Sequence, residues 1–253
     1  MRNHLSLRSG NPALNKNTFK NLSVDGNQTM TIDGTVNKTS IALIMLLMSS
    51  YYTFTSSNTS FIMVGMILGL ILAITTVFKK HWAPITVPAY AICQGLALGG
   101  ISAIYESMYT GIVQQAVFLT MGIFIALLFA YKTKIIKVTE NFKLGIFSAT
   151  AGIGVVYLIA IIYGLFSGGD TFSFMKMGGP EQPAPLISIG FSLFVVIIAA
   201  LNLVLDFDFI EEASEMGLPK YMEWYATFGL LVTLIWLYLE ILRLLAKLQS
   251  RRS

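Results

Sequence analysis

Seven long apolar runs fill the chain from about Ile41 to Leu248. No other feature restricts the fold so tightly. A helix needs roughly 20 apolar residues to cross about 30 Å of hydrocarbon. Backbone amides in lipid must be satisfied within their own segment, and these runs do not alternate as barrel strands do. The sequence therefore predicts an all-α integral membrane protein, a bundle of seven transmembrane helices. Only 12% of the 253 residues are charged, about half the share in a soluble domain. The spans consume most of the chain. They leave residues 1–38 as a polar, basic, partly disordered tail and 39–250 as the membrane domain.

The runs are read in order. "TSIALIMLLMSSYYTF" ends in the polar "TSSNTS", and "FIMVGMILGLILAITTVF" is closed by Lys79, Lys80 and His81. "TVPAYAICQGLALGGISAIY" is closed by Glu106, and "GIVQQAVFLTMGIFIALLFAY" is followed by "KTKIIK". "LGIFSATAGIGVVYLIAIIYGLF" leads into a Gly/Pro loop, then "LISIGFSLFVVIIAALNLVL" and "WYATFGLLVTLIWLYLEILRLL". The tail has no apolar signal-peptide core and carries Arg2, Arg8, Lys16, Lys20 and Lys38. By parity it shares a side with Lys79–Lys80 and with Lys132, Lys134, Lys137 and Lys143. Basic loops stay inside, so the N-terminus is expected in the cytoplasm and the protein in the cytoplasmic membrane. The last loop breaks the pattern. It is acidic, with Asp206, Asp208, Glu211, Glu212, Glu215 and Glu223, while Lys247, Arg251 and Arg252 fall outside. A re-entrant last segment is the alternative to a seventh span.

Gly65/Gly69 and Gly95/Gly99 sit four apart, the spacing that lets helix backbones approach. Pro84 and Pro88 are placed at the start of the third helix, where a missing amide is harmless. Trp82 and Trp224 are interfacial anchors. The net charge of +4 is too small to suggest nucleic acid. Cys93 is the single cysteine, and His4 and His81 are scattered, so no metal cluster, nucleophile pair or phosphate loop is present and no enzyme or cofactor is expected.

The polar residues inside the runs carry the functional reading. Glu240 lies among apolar neighbours, with Arg243 three residues on and so on the same face. A charged carboxylate near mid-bilayer costs roughly 2.5–3.5 kcal/mol. It is either an ion or proton site or half of a local pair with Arg243 snorkelling to the edge. Asp206 and Asp208 close the sixth run. They read as an acidic cap where a helix meets water, or as a cation or proton site. Spacing of two puts them on different faces; Asp206, one turn after Asn202, is the inward candidate. Glu106 closes the third run.

"LNLVLDFDFIEEA" and "WLYLEILRLLAKL" resemble the last two helices of the Bax inhibitor family of transmembrane proteins. "QGLALGGISAIY" and "QQAVFLT" are similar to its third and fourth helices, and "NPALNKNTF" with "MTIDGTVNKTS" looks like its longer bacterial branch. The resemblance covers most of the chain. It implies a seven-helix bundle with the last helix central, and a passive, pH-sensitive calcium leak. An acid of the sixth helix and one of the last share a proton there. Asp206 matches the first and Glu240 the second, with Glu in place of Asp, making them the candidate Ca2+ and H+ residues. Asp208, Arg243, Asn202 and Glu106 would support them. A hairpin turning near Gly217 offsets Glu240 from Asp206 by about 15–20 Å at 1.5 Å per residue. A kink or re-entrant turn would close that offset; otherwise Glu240 pairs with Arg243 or approaches Glu106. The alternative function is a non-conducting regulator that binds a membrane protease or stress-response partner.

Overall fold

A computed structural model describes residues 29–56, 59–167, 172–178 and 182–252. Most of the tail read over 1–38, including the stretch expected to be disordered, lies outside the described residues. The rest forms seven long helices. They are α1 (Ile32–Ser56), α2 (Ser60–Phe78), α3 (Ala83–Met108), α4 (Ile112–Lys132), α5 (Glu140–Phe166), α6 (Leu186–Glu215) and α7 (Met222–Gln249). Short 3-10 turns cover Lys80–Trp82 and Ser173–Met175. No strand occurs among the described residues; one isolated bridge joins Thr29 and Pro219.

Among the described residues, six helical stretches are long and apolar enough to cross a membrane: α2, Lys80–Met108, α4, α5, α6 and α7. α1 is as long as the others but more polar. It opens with Asp33, Asn37 and Lys38 and closes with a run of serines, threonines and tyrosines. Its hydroxyls turn back onto its own backbone: Ser49 donates to Met45 O at 2.9 Å, Thr53 to Ser49 O at 3.2 Å and Thr55 to Tyr51 O at 2.9 Å. The seven runs are thus seven helices, of which six meet the requirement for a span.

Several boundaries differ from the sequence reading. α1 starts at Ile32, inside the tail drawn to residue 38. Pro88 lies a full turn inside α3 rather than at its start. α6 does not stop at the aspartates but continues to Glu215, so Asp206, Asp208, Glu211 and Glu212 are helical. It ends at Gly217, whose φ of +65° suits a residue without a Cβ. Leu218 N donates to Ala213 O at 3.3 Å and Gly217 N to Ser214 O at 3.0 Å, the paired bonds of a Schellman end. α7 is one unbroken helix, about 42 Å long at 1.5 Å per residue. That is the length of a span, not of a re-entrant segment.

The described residues fall into two compact units, and α6 and α7 contribute to both. The first contains 29–107 and Asp206–Val232. Its helices meet at glycines. A Cβ on Gly99 of α3 would lie 2.1 Å from Ser50 O of α1, and one on Gly95 would lie 2.3 Å from Leu46 O. On α2, a Cβ at Gly65 would lie 2.4 Å from Cys93 O, and one at Gly69 would lie 2.7 Å from the Gln94 amide. Both glycine pairs therefore serve close packing between helices of this chain. Tyr90 and Phe228 meet edge to face with centroids 5.0 Å apart.

The second unit contains Met108–Leu205 and 233–252. Its core is Ile146 and Ile153 of α5 against Val195, Ile198 and Leu205 of α6, flanked by Tyr157, Phe191 and Trp236. The end of α7 is fastened beside the start of α6. Ala184 N donates to Ser250 Oγ at 3.1 Å, and Arg251 donates to Ala184 O at 3.0 Å. The spans differ in what they face. α2, α4 and α5 are 17% buried over their apolar windows and α7 is 56% buried. The first three therefore present most of their apolar side chains outward and pack through a narrow face, while more than half of α7 is buried.

Candidate ion site

Glu240 sits 18 residues into α7, about 27 Å from its first residue at 1.5 Å per residue. It is 2% exposed. Its Oε1 accepts from Arg243 Nη1 at 2.8 Å and from the Tyr157 hydroxyl at 2.9 Å. Arg243 Nη1 also donates to the Tyr157 oxygen at 3.0 Å, and the guanidinium lies 5.7 Å from the Tyr157 ring centroid. Three groups thus close a triangle. Tyr157 reaches it from α5, one phenol serving as donor to the acid and acceptor from the base. Phe191 holds the phenol edge to face, centroids 6.2 Å apart.

The sequence reading of Glu240 and Arg243 as neighbours on one helix face is realised as an ion pair. The pair is unequal: the Glu240 side chain is 3% exposed and the Arg243 side chain 33%. Arg243 therefore reaches toward the boundary while its partner stays inside, as a long basic side chain does. Glu240 Oε2 is buried and accepts no hydrogen bond among the described residues. A buried oxygen of this kind invites a proton, a water or a cation. Two turns beyond Glu240, Lys247 is 1% exposed. Its ammonium donates to Ser192 Oγ at 2.8 Å and to Ser188 O at 3.2 Å. The sequence placed Lys247 in an outer tail; α6 instead buries it through those two acceptors.

Asp206 is fully buried and belongs to the first unit, whereas Glu240 belongs to the second. Asp206 is not an acidic cap, because α6 runs nine residues beyond it. Asp208 is half-buried, so the two aspartates differ in burial as different faces require. Asn202, one turn before Asp206, is 2% exposed and donates to Thr150 Oγ1 and Ile198 O, both at 2.8 Å. Its Oδ1 accepts nothing among the described residues. Glu106 is half-buried near the end of α3. Among the described residues no three His, Cys, Asp or Glu side chains gather as a metal cage. A cation at Glu240 would complete its shell with water and neutral oxygens.

Sequence reasoning missed a third buried acid. Glu223, counted with the acidic loop, is fully buried in the first turn of α7. It forms an ion pair with Lys38 of α1, and its Oε1 accepts from Thr31 N and Thr31 Oγ1, both at 3.0 Å. One signal was available. Parity places the basic tail and the acidic loop on the same side, where opposite charges can meet. Tyr157 left no signal, since nothing local marks a phenol 83 residues away from its acid.

A search of curated proteins gives no significant match. A family model described as Bax inhibitor 1 like does match, over residues 11–250. That range takes in all seven helices and every acid discussed above. The helical architecture, its six apolar spans and this match agree, and the chain belongs to the Bax inhibitor 1-like family of multi-pass membrane proteins.

Proposed function

We propose that this protein is a pH-sensitive cation leak pathway, with calcium as a permeant ion, controlled by protonation of Asp206 and Glu240. The observation that carries the reading is the divided state of Glu240. One carboxylate oxygen is held by Arg243 and Tyr157, and the other is buried and accepts no hydrogen bond among the described residues. Structural pairing alone would satisfy both oxygens. An acid with one oxygen held in place and the other free of donors is ready to bind what passes it. Asp206, wholly buried on α6, is the second carboxylate of the pathway.

The sign of the pH response follows from charge. Ionised carboxylates attract a cation into a low-dielectric passage. Protonation removes that attraction. Acid therefore closes the leak. In this reading α1 joins the other helices as a seventh span, α7 is the central helix, and the N-terminus faces the cytoplasm of a cell membrane. The role is not enzymatic.

The test is purified protein in calcium-free liposomes with an internal calcium dye, assayed across pH. Flux that falls with acid and is lost in Glu240→Gln and Asp206→Asn supports the proposal. Absence of flux at every pH, or flux indifferent to both substitutions, removes it and leaves the non-conducting regulator.

A further inference from the structure

The leak makes no use of Glu223, yet both oxygens of this buried acid are held by donors. The chain entering α1 lies along the α6–α7 turn as a short strap. Thr29 bridges Pro219, Met30 N donates to Leu218 O at 2.6 Å, and the Met30 side chain is 2% exposed. The strap then meets Glu223. Thr31 presents its amide and its hydroxyl to Oε1, and Lys38 pairs with Oε2. The same Thr31 hydroxyl accepts from Gly34 N at 3.0 Å, which caps α1. Gly34 leaves the room this needs, since a Cβ there would lie 2.2 Å from Glu223 Oε1.

Among the described residues, each group bonded to the carboxylate donates to it. Lys38 has no acceptor capacity, and the Thr31 amide and hydroxyl both donate to Oε1. A proton on Glu223 turns an oxygen that accepted into a donor facing other donors, and it leaves the Lys38 charge without its counter-ion. The charge facing Glu223 comes from Lys38 on α1. Asp33 in the first turn of α1 and Lys220 on the α6–α7 turn are exposed to solvent.

We propose that Glu223 is an acid-released latch. Ionised, it fastens Thr29–Thr31 and the start of α1 to the α6–α7 turn; protonated, it releases them. The device is independent of the leak, for it uses neither Asp206 nor Glu240.

Hydrogen exchange on the full chain in lipid nanodiscs tests it. Protection factors, corrected for the intrinsic pH dependence of exchange, are compared between pH 7.5 and 3.5 for peptides covering residues 29–38, because a carboxylate paired with a cation takes its proton only below the ordinary carboxylate range. Peptides from Ile112–Lys132 serve as the internal control. Protection of 29–38 should fall on acidification, by at most about tenfold per pH unit for a single proton, while the control holds. Glu223→Gln, which strands Lys38, should be open at both pH values. Glu223→Gln with Lys38→Met removes both charges and keeps an acceptor for Thr31, so it should be closed at both. Protection of 29–38 that is unchanged by acid would overturn the latch. So would loss shared equally with the control, full protection in Glu223→Gln, or the wild-type pH response persisting in the double variant.

Discussion

Tyr157 and Glu240 are joined by one phenol that donates to the carboxylate at 2.9 Å while accepting from Arg243 at 3.0 Å. The phenol fixes which oxygen of the acid is committed and which stays available. Tyr157→Phe keeps the ring and its packing on Phe191 but removes the donor. A hydrogen bond to a charged group contributes about 1.5–3 kcal/mol, so the variant should lose stability of that order and melt at lower temperature. Thermal unfolding in detergent, read by fluorescence size-exclusion, checks this.

Arg243→Gln leaves the Glu240 charge buried without its cation. Breaking a buried pair costs roughly 3–5 kcal/mol, and the low end applies because the Arg243 side chain is a third exposed. Adding Glu240→Gln should recover most of the loss, since the stranded charge is gone. A double-mutant cycle on melting temperature measures the coupling. Strict additivity would mean the two side chains do not act as a pair.

Gly99→Ala should destabilise and Gly122→Ala should not. The added methyl at 99 meets the Ser50 carbonyl, which is backbone and has nowhere to swing, whereas at 122 nothing lies within 4 Å. Overpacking of this kind costs about 1–3 kcal/mol. Equal melting temperatures for the two variants would show that α1 and α3 do not approach as closely as described.

Calcium flux into liposomes should fall as the medium is acidified. Glu240→Gln mimics the protonated acid, so its flux should be low and flat with pH. Its residual flux should resemble that of the unmodified protein at the acidic end. A variant that conducts at the wild-type neutral rate would show that this carboxylate does not control the passage.

Much of this architecture could be read from apolar run length alone, because lipid forces every such run to satisfy its own amides. The Glu240–Arg243 pair was also legible, since three residues along a helix bring side chains together whatever surrounds them. Tyr157 was not, because its role depends on α5 packing beside α7, and no local spacing encodes that. Glu223 was misread for a different reason. Composition labels "DFDFIEEASEMGLPKYMEW" a solvated acidic loop, yet α6 keeps its helical bonds to Glu215 and the turn is only a few residues long. The acids of that stretch meet different environments: Glu211 is exposed while Asp206 and Glu223 are wholly buried.

The self-bonded hydroxyls of α1 change what its composition is worth. A serine or threonine whose proton already rests on the carbonyl one turn back offers the bilayer mainly its methylene and methyl surface. Scales that score each such residue as fully polar overstate the penalty of moving this segment out of water. The penalty for inserting α1 lies nearer to that of its neighbours than a residue-by-residue sum implies.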